Sequence, residues 1–98
     1  MARNRVRTSP GEILREEFLR PAGLSANALA LALRVPANRI TGILNGTRAM
    51  SADTALRLAR YFGMSAQFWL NAQAAHDLSK AERETGAAIA RDVRPRAA

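Results

Sequence analysis

The sequence predicts an all-α fold of five short helices, and three observations carry that prediction. Alanine and leucine dominate a chain that is 48% hydrophobic but only 5% aromatic. Such a mixture favours helix over sheet, because these residues lose little rotamer freedom on a helical backbone. Apolar residues recur at intervals of three and four and nowhere alternate with the two-residue period of a strand. Each run opens on a serine or proline suited to starting a helix and closes on Gly, Pro or Asn-Gly. At 98 residues the chain has the size of one domain with a modest core.

Taken in order, residues 1–8 carry Arg3, Arg5 and Arg7, no acid and no periodicity, and are expected to be a flexible basic arm. The domain itself is placed at 9–95, with a tail at 96–98. Ser9 caps the first helix, Pro10 fits its first position and Glu12 completes a capping box. Ile13, Leu14 and Phe18 recur at helical spacing, Glu16 and Glu17 face outward, and Pro21 and Gly23 stop the helix. Ser25 caps the second helix, whose stripe of Ala28, Leu29, Ala32 and Leu33 lets a neighbour approach closely.

After the short break Arg34-Val35-Pro36, a third helix turns Ile40, Ile43 and Leu44 inward and ends at Asn45-Gly46. Ser51 caps the fourth helix, and Asp53 sits in its first turn, where the helix dipole favours a negative charge. Ala55, Leu56, Ala59 and Phe62 make its expected buried face, with Arg57 and Arg60 as outward, ordinary surface cations before Gly63. Ser65 opens the fifth helix, to which Phe68, Trp69, Ala72 and Leu78 give apolar contacts. Past Gly86 the segment "AAIARDVRP" reads as a helical tail or a short strand, and Pro95 ends regular structure.

Composition excludes several functions. There is no cysteine, hence no disulfide framework and no thiolate metal site. The one histidine, His76, lacks the partners that a metal site or a nucleophile–base pair needs. It is expected on the surface or at a dimer contact. No catalytic residues, metal or cofactor are assigned. No apolar run reaches the roughly 18 residues of a membrane span, and no apolar stretch of signal-peptide type follows the basic start. The expected location is cytoplasmic, on the nucleoid. Fifteen Lys and Arg against eight Asp and Glu give a net charge of +7, and fourteen of the fifteen are arginine. A planar guanidinium suits phosphate and guanine, so the expected partner is a polyanion.

The second and third helices with their very short turn form a helix-turn-helix pattern, in which the later helix enters the major groove. On its outer side Asn38 suits adenine, Arg39 guanine, and Thr41 a thymine methyl or a phosphate, while Ala37 is small enough for close approach. Gly42 is expected on the same side, where a missing side chain leaves room at the groove. Arg34 in the turn and Arg48 after the helix are placed for the phosphate backbone.

The string "PGEIL-EEF", then "NG-R" after the third helix, "ADTALRLARYFG" and "FWLN-Q--DL--AE" resembles the HigA (VapI-like) antitoxins among the lambda-repressor-like, XRE-type helix-turn-helix proteins. The resemblance covers residues 9–95. It implies a five-helix lambda-repressor-like DNA-binding domain whose third helix reads DNA. It implies a homodimer on a palindromic double-stranded operator in its own promoter, and tight binding of a HigB-type mRNA endonuclease toxin. By position it assigns DNA contact to Ala37, Asn38, Arg39, Thr41 and Gly42, and backbone contact to Thr47 and Arg48. Phe68, Trp69 and Leu70 go to the core first and only then to a dimer contact. The dimer surface is expected on the fifth helix and its tail, at Trp69, Ile89 and Val93, and the toxin surface near Glu16 and Glu17. Such sequences often have Gly where Arg34 stands, and a left-handed Arg would cost about 1 kcal/mol. A solitary or phage-type repressor without a toxin has the same DNA chemistry. An enzyme or a purely structural module is the remaining class, and it predicts no salt-dependent DNA binding.

Overall fold

The computed structural model describes residues 5–97, so Arg3 lies outside the described residues. The first helix, α1 (residues 10–22), is continuous but not uniform: Pro10–Ile13 and Arg20–Ala22 are α-helical, and Leu14–Leu19 widens to π spacing. Arg20 N–H therefore reaches back five residues to the Arg15 carbonyl. Pro21 explains the widening. It has no N–H to give, and in a regular turn its ring would strike the carbonyl four residues earlier. Pro21 thus reshapes the helix rather than stopping it, and Gly23, left-handed at φ 63°, makes the stop.

The remaining helices are α2 (Ala26–Leu33), α3 (Ala37–Asn45), α4 (Ala52–Phe62) and α5 (Ala66–Asp92). Ser9, Ser25, Ser51 and Ser65 each accept a backbone N–H of the first turn, at 3.0–3.2 Å, satisfying donors that a helix start leaves open. There is no strand among the described residues: the ambiguous tail segment is helical as far as Asp92. Its alanines favour helix, and no neighbouring strand is present to pair with it.

The core lies where α1, α2, α3 and α4 converge on the first turns of α5. Trp69, Leu14, Leu29, Ile40 and Leu58 are fully buried there, each contributing roughly 1.5–3 kcal/mol of hydrophobic burial. Phe18 stacks at a tilt between Phe62 and Trp69, with ring centroids 4.9 and 5.1 Å away. The Trp69 indole N–H points at the Met64 sulfur, 3.2 Å away. The N-terminus of α1 lies directly on α3: a Cβ on Gly11 would collide with the Ile43 carbonyl oxygen and come within 3.0 Å of Leu44 Cα. Arg15 then reaches the Leu44 carbonyl from the next turn, at 3.0 Å.

Several assignments shift. Trp69 has no exposed surface, so it belongs to the core and offers nothing to a second copy. Phe68 is exposed, edge-on to Trp69. Leu56 is 63% and Leu78 65% exposed, and Ala32 is exposed as well. The reason is rotational. The inward row of α4 is Ala55, Leu58 and Phe62, and that of α5 runs from Trp69 through Ala72 and His76 to Ser79. Leu56 and Leu78 each stand one residue, about 100°, off those rows. The basic arm is tied down at its base. Arg7 N–H donates to Ser79 Oγ at 2.8 Å, and His76 Nδ1 lies 2.7 Å from the Arg7 carbonyl. His76 is therefore a strap for the chain start, holding the Arg7 backbone.

Beyond Ser79 no residue of α5 is buried. The helix projects, and the molecule is 52 Å along its longest axis against 26 and 21 Å across. No helix among the described residues is long and apolar enough to cross a membrane.

Candidate nucleic-acid interface

The turn between α2 and α3 is only three residues, and it works through Arg34. This is the one non-glycine with positive φ among the described residues, at φ 62° and ψ 44°. Its N–H closes on Leu31 O at 3.2 Å, and the Val35 N–H follows onto Ala30 O at 3.0 Å. The left-handed conformation expected to cost energy is adopted, so the strain is held by those bonds. On the far side of the turn Arg57 donates to the Leu33 carbonyl at 2.8 Å. Arg57 is thus a C-terminal cap for α2 rather than an ordinary surface cation.

Helix α3 buries Ile40 and Ile43, with Leu44 packed beside them. Its outer face holds Asn38, Thr41, Gly42 and Asn45, at i, i+3, i+4 and i+7. Asn38, Thr41 and Asn45 are exposed, as is Ala37 at the edge. Pro36 stands at the cap rather than within the first turn, and α3 alone of the four helices after α1 starts without a side-chain cap. Arg39 N–H closes on the Pro36 carbonyl at 3.0 Å, and the N–H groups of Ala37 and Asn38 are left at an exposed helix start, suited to an anion or a base edge. Asn45, expected only to end the helix, is a further hydrogen-bonding side chain on this face, and its i+7 spacing from Asn38 was the available signal.

Gly42 is half-buried, and the space beside it is filled by the chain that follows. A Cβ there would stand 3.1 Å from Arg48 Cβ and 3.6 Å from Thr47 Oγ1. The Gly42 carbonyl accepts Thr47 N–H at 2.9 Å, Arg48 N–H at 3.1 Å and the Thr47 hydroxyl at 3.3 Å. The missing side chain thus does not leave a vacant notch for a base; it lets Thr47 and Arg48 fold back onto the outer face. Arg48 is exposed, and the cleft behind it is shared with Lys80, the chain's single lysine.

Arg39 lies at the other edge and is engaged. Its guanidinium meets Asp53 at 2.6 Å, and Arg57 meets the same carboxylate oxygen at 2.9 Å. The Arg57 and then the Arg39 hydrogen bonds hold the Asp53 carboxyl below its ordinary pKa. Arg39 therefore braces α3 against α4, and a guanine contact by Arg39 would have to replace this ion pair. Sequence spacing did not announce this pair, fourteen residues apart. Arg34 is exposed on the turn. Ile89 and Val93 are exposed on the distal part of α5 and at its end. Glu16 and Glu17 are exposed on α1, with Glu16 paired to Arg20 at 3.1 Å.

Residues 14–69 match the helix-turn-helix family model. Virulence-associated protein I of Dichelobacter nodosus is 61% identical over 75 residues, which is 76% of this chain and 69% of that protein. A HigA-family addiction module antidote protein from Coxiella burnetii superposes with a TM-score of 0.85 at 49% identity, over 91% of this chain and 97% of the other. The Pseudomonas aeruginosa antitoxin HigA, solved with the higBA promoter, superposes with a TM-score of 0.86 at 45% identity, over 90% and 96% of the two chains.

Proposed function

We propose that this chain, which belongs to the HigA antitoxins of the helix-turn-helix family, represses its own operon as a dimer on a palindromic operator and neutralises a HigB-type mRNA endonuclease by direct contact. One observation carries the DNA part: a rigidly braced α3 whose outer Asn38, Thr41 and Asn45 make no side-chain bond within the described residues. Asn38 and Asn45 supply donor–acceptor pairs for base edges, and Thr41 a hydroxyl and a methyl. Arg48, beside the face, and Arg34, in the turn, supply phosphate contacts. A dimer presents two such helices about 34 Å apart, one turn of DNA. The P. aeruginosa relative solved with the higBA promoter supports the same reading.

For the toxin, the supporting feature is a cleft on α1 where Glu12, Glu16 and Glu17 surround the exposed Phe68. On a chain of net charge +7, that is an acidic surface with an apolar centre, suited to a basic partner. The DNA reading is tested by titrating the chain against the promoter upstream of its gene at 50 and 200 mM salt. Specific binding that weakens by at least about a hundredfold is expected; salt-independent or absent binding overturns it. The toxin reading is tested by co-expression with the adjacent reading frame. The tagged chain is expected to retain that product and restore growth, and Glu16→Lys with Glu17→Lys to lose both while keeping DNA binding. A chain that binds the promoter but retains no toxin is a solitary repressor.

A further inference from the structure

Besides bracing α3 through Asp53 and capping α2 through Arg57, helix α4 carries a solvent-facing groove. Asp53, Leu56, Arg57 and Arg60 stand at i, i+3, i+4 and i+7, and with Tyr61 and Ala32 they line one shallow groove. Leu56 is 63% and Tyr61 47% exposed. Neighbouring large apolar side chains left in water mark a contact surface.

The order of charges along this face identifies its occupant. The acid stands one turn before the centre and Arg60 one turn after it, with Leu56 and Arg57 between. If the same helix is laid antiparallel across it, with the axis between residues 56 and 57, each Asp53 faces the other copy's Arg60 and the two Leu56 side chains meet. The face is complementary to itself, as a two-fold interface must be. The Asp53 carboxylate, already bonded to Arg39 and Arg57, is 57% exposed at its side chain and has lone pairs left to accept from a further cation. The distal part of α5 offers less: around Ile89 the helical neighbours are Thr85, Gly86, Asp92 and Val93.

We infer that the dimer forms through α4, by antiparallel packing about Leu56 with reciprocal Asp53–Arg60 pairs, and not through Ile89 and Val93. The inference rests on the reading of the chain as a dimeric operator binder, and it adds which surface joins the copies. It also gives Asp53 two tasks: through Arg39 it braces α3 of its own chain, and through Arg60 it touches the second copy. The spacing of the two reading helices is then set from the interface through one carboxylate.

Sedimentation of the full chain and of three variants tests this, with helical circular dichroism and melting confirming that each folds. Leu56→Glu and Arg60→Glu are expected to weaken dimerisation by about tenfold or more, and Ile89→Glu to leave it unchanged. The chain has no cysteine, so Leu56→Cys alone is expected to give a covalent dimer with a short thiol cross-linker, and Ile89→Cys is not. A folded Leu56→Glu variant that dimerises like the parent, or an Ile89→Glu variant that falls apart, overturns the α4 surface and leaves the operator reading standing. A parent chain that sediments as a monomer at about 100 µM overturns the dimer in both.

Discussion

At its N-terminal end α3 has no side-chain cap, and Ala37 and Asn38 face water. At the opposite end the Gly42 carbonyl holds Thr47 and Arg48, Arg15 holds the Leu44 carbonyl, and Gly11 brings α1 to the backbone of Ile43. One helix is thus left open where it would meet a ligand and fixed where it meets the domain. A reading element needs both. Free side chains give it hydrogen-bonding capacity, and an immobile frame means that little ordering is left to be done when it binds.

The contrast is broken most severely from the fixed end. Gly11→Ala puts a methyl group into backbone that has no room to yield, and should cost about 3 kcal/mol or more in urea or thermal unfolding; an unchanged midpoint would show that α1 and α3 are less closely joined than described. At the open end, Asn38→Ala should cost about 1–3 kcal/mol of operator affinity. Its melting temperature should stay within about 2 °C of the parent. A loss of stability instead would make Asn38 part of the frame.

Arg34→Gly relieves the left-handed turn and should stabilise the fold by about 1 kcal/mol, while promoter titration shows whether the lost cation lowers affinity. The smallest effect belongs to Asp53. Its folded pKa lies below the ordinary 3.8, so its contribution to stability is complete above that value and fades as pH falls through the lowered one. Thermal melts between pH 6 and 3 should show Asp53→Asn with a flatter acid limb than the parent, by a modest margin because the pair is exposed.

Much of this was legible in the sequence because it was written locally. Each serine cap acts within three residues of itself, and the apolar row of α3 shows in the spacing of Ile40, Ile43 and Leu44. What was not legible depended on direction or distance. Leu56 and Leu78 look like core residues in composition, and only the rotational phase of their helices turns them outward. Arg39 looked free because Asp53 joins it only after the chain has turned twice. Gly42 was placed on the outer side, but what occupies the space beside it is decided by a loop whose course no periodicity encodes. Pro21 read as a stop because the π-widened turn that accommodates it has no sequence signature.

The long reach of α5 has a consequence for how the molecule comes apart. From Lys80 to Asp92 the helix is sustained by its own backbone bonds, with no buried residue to hold it, and a segment of about 12–15 residues is marginal on those alone. It should fray inward from Asp92 toward the Ser79–Arg7 strap, giving a graded loss of amide-exchange protection rather than a single cooperative step. A protease would find its first purchase there and would leave behind a shortened protein with its DNA-facing half intact.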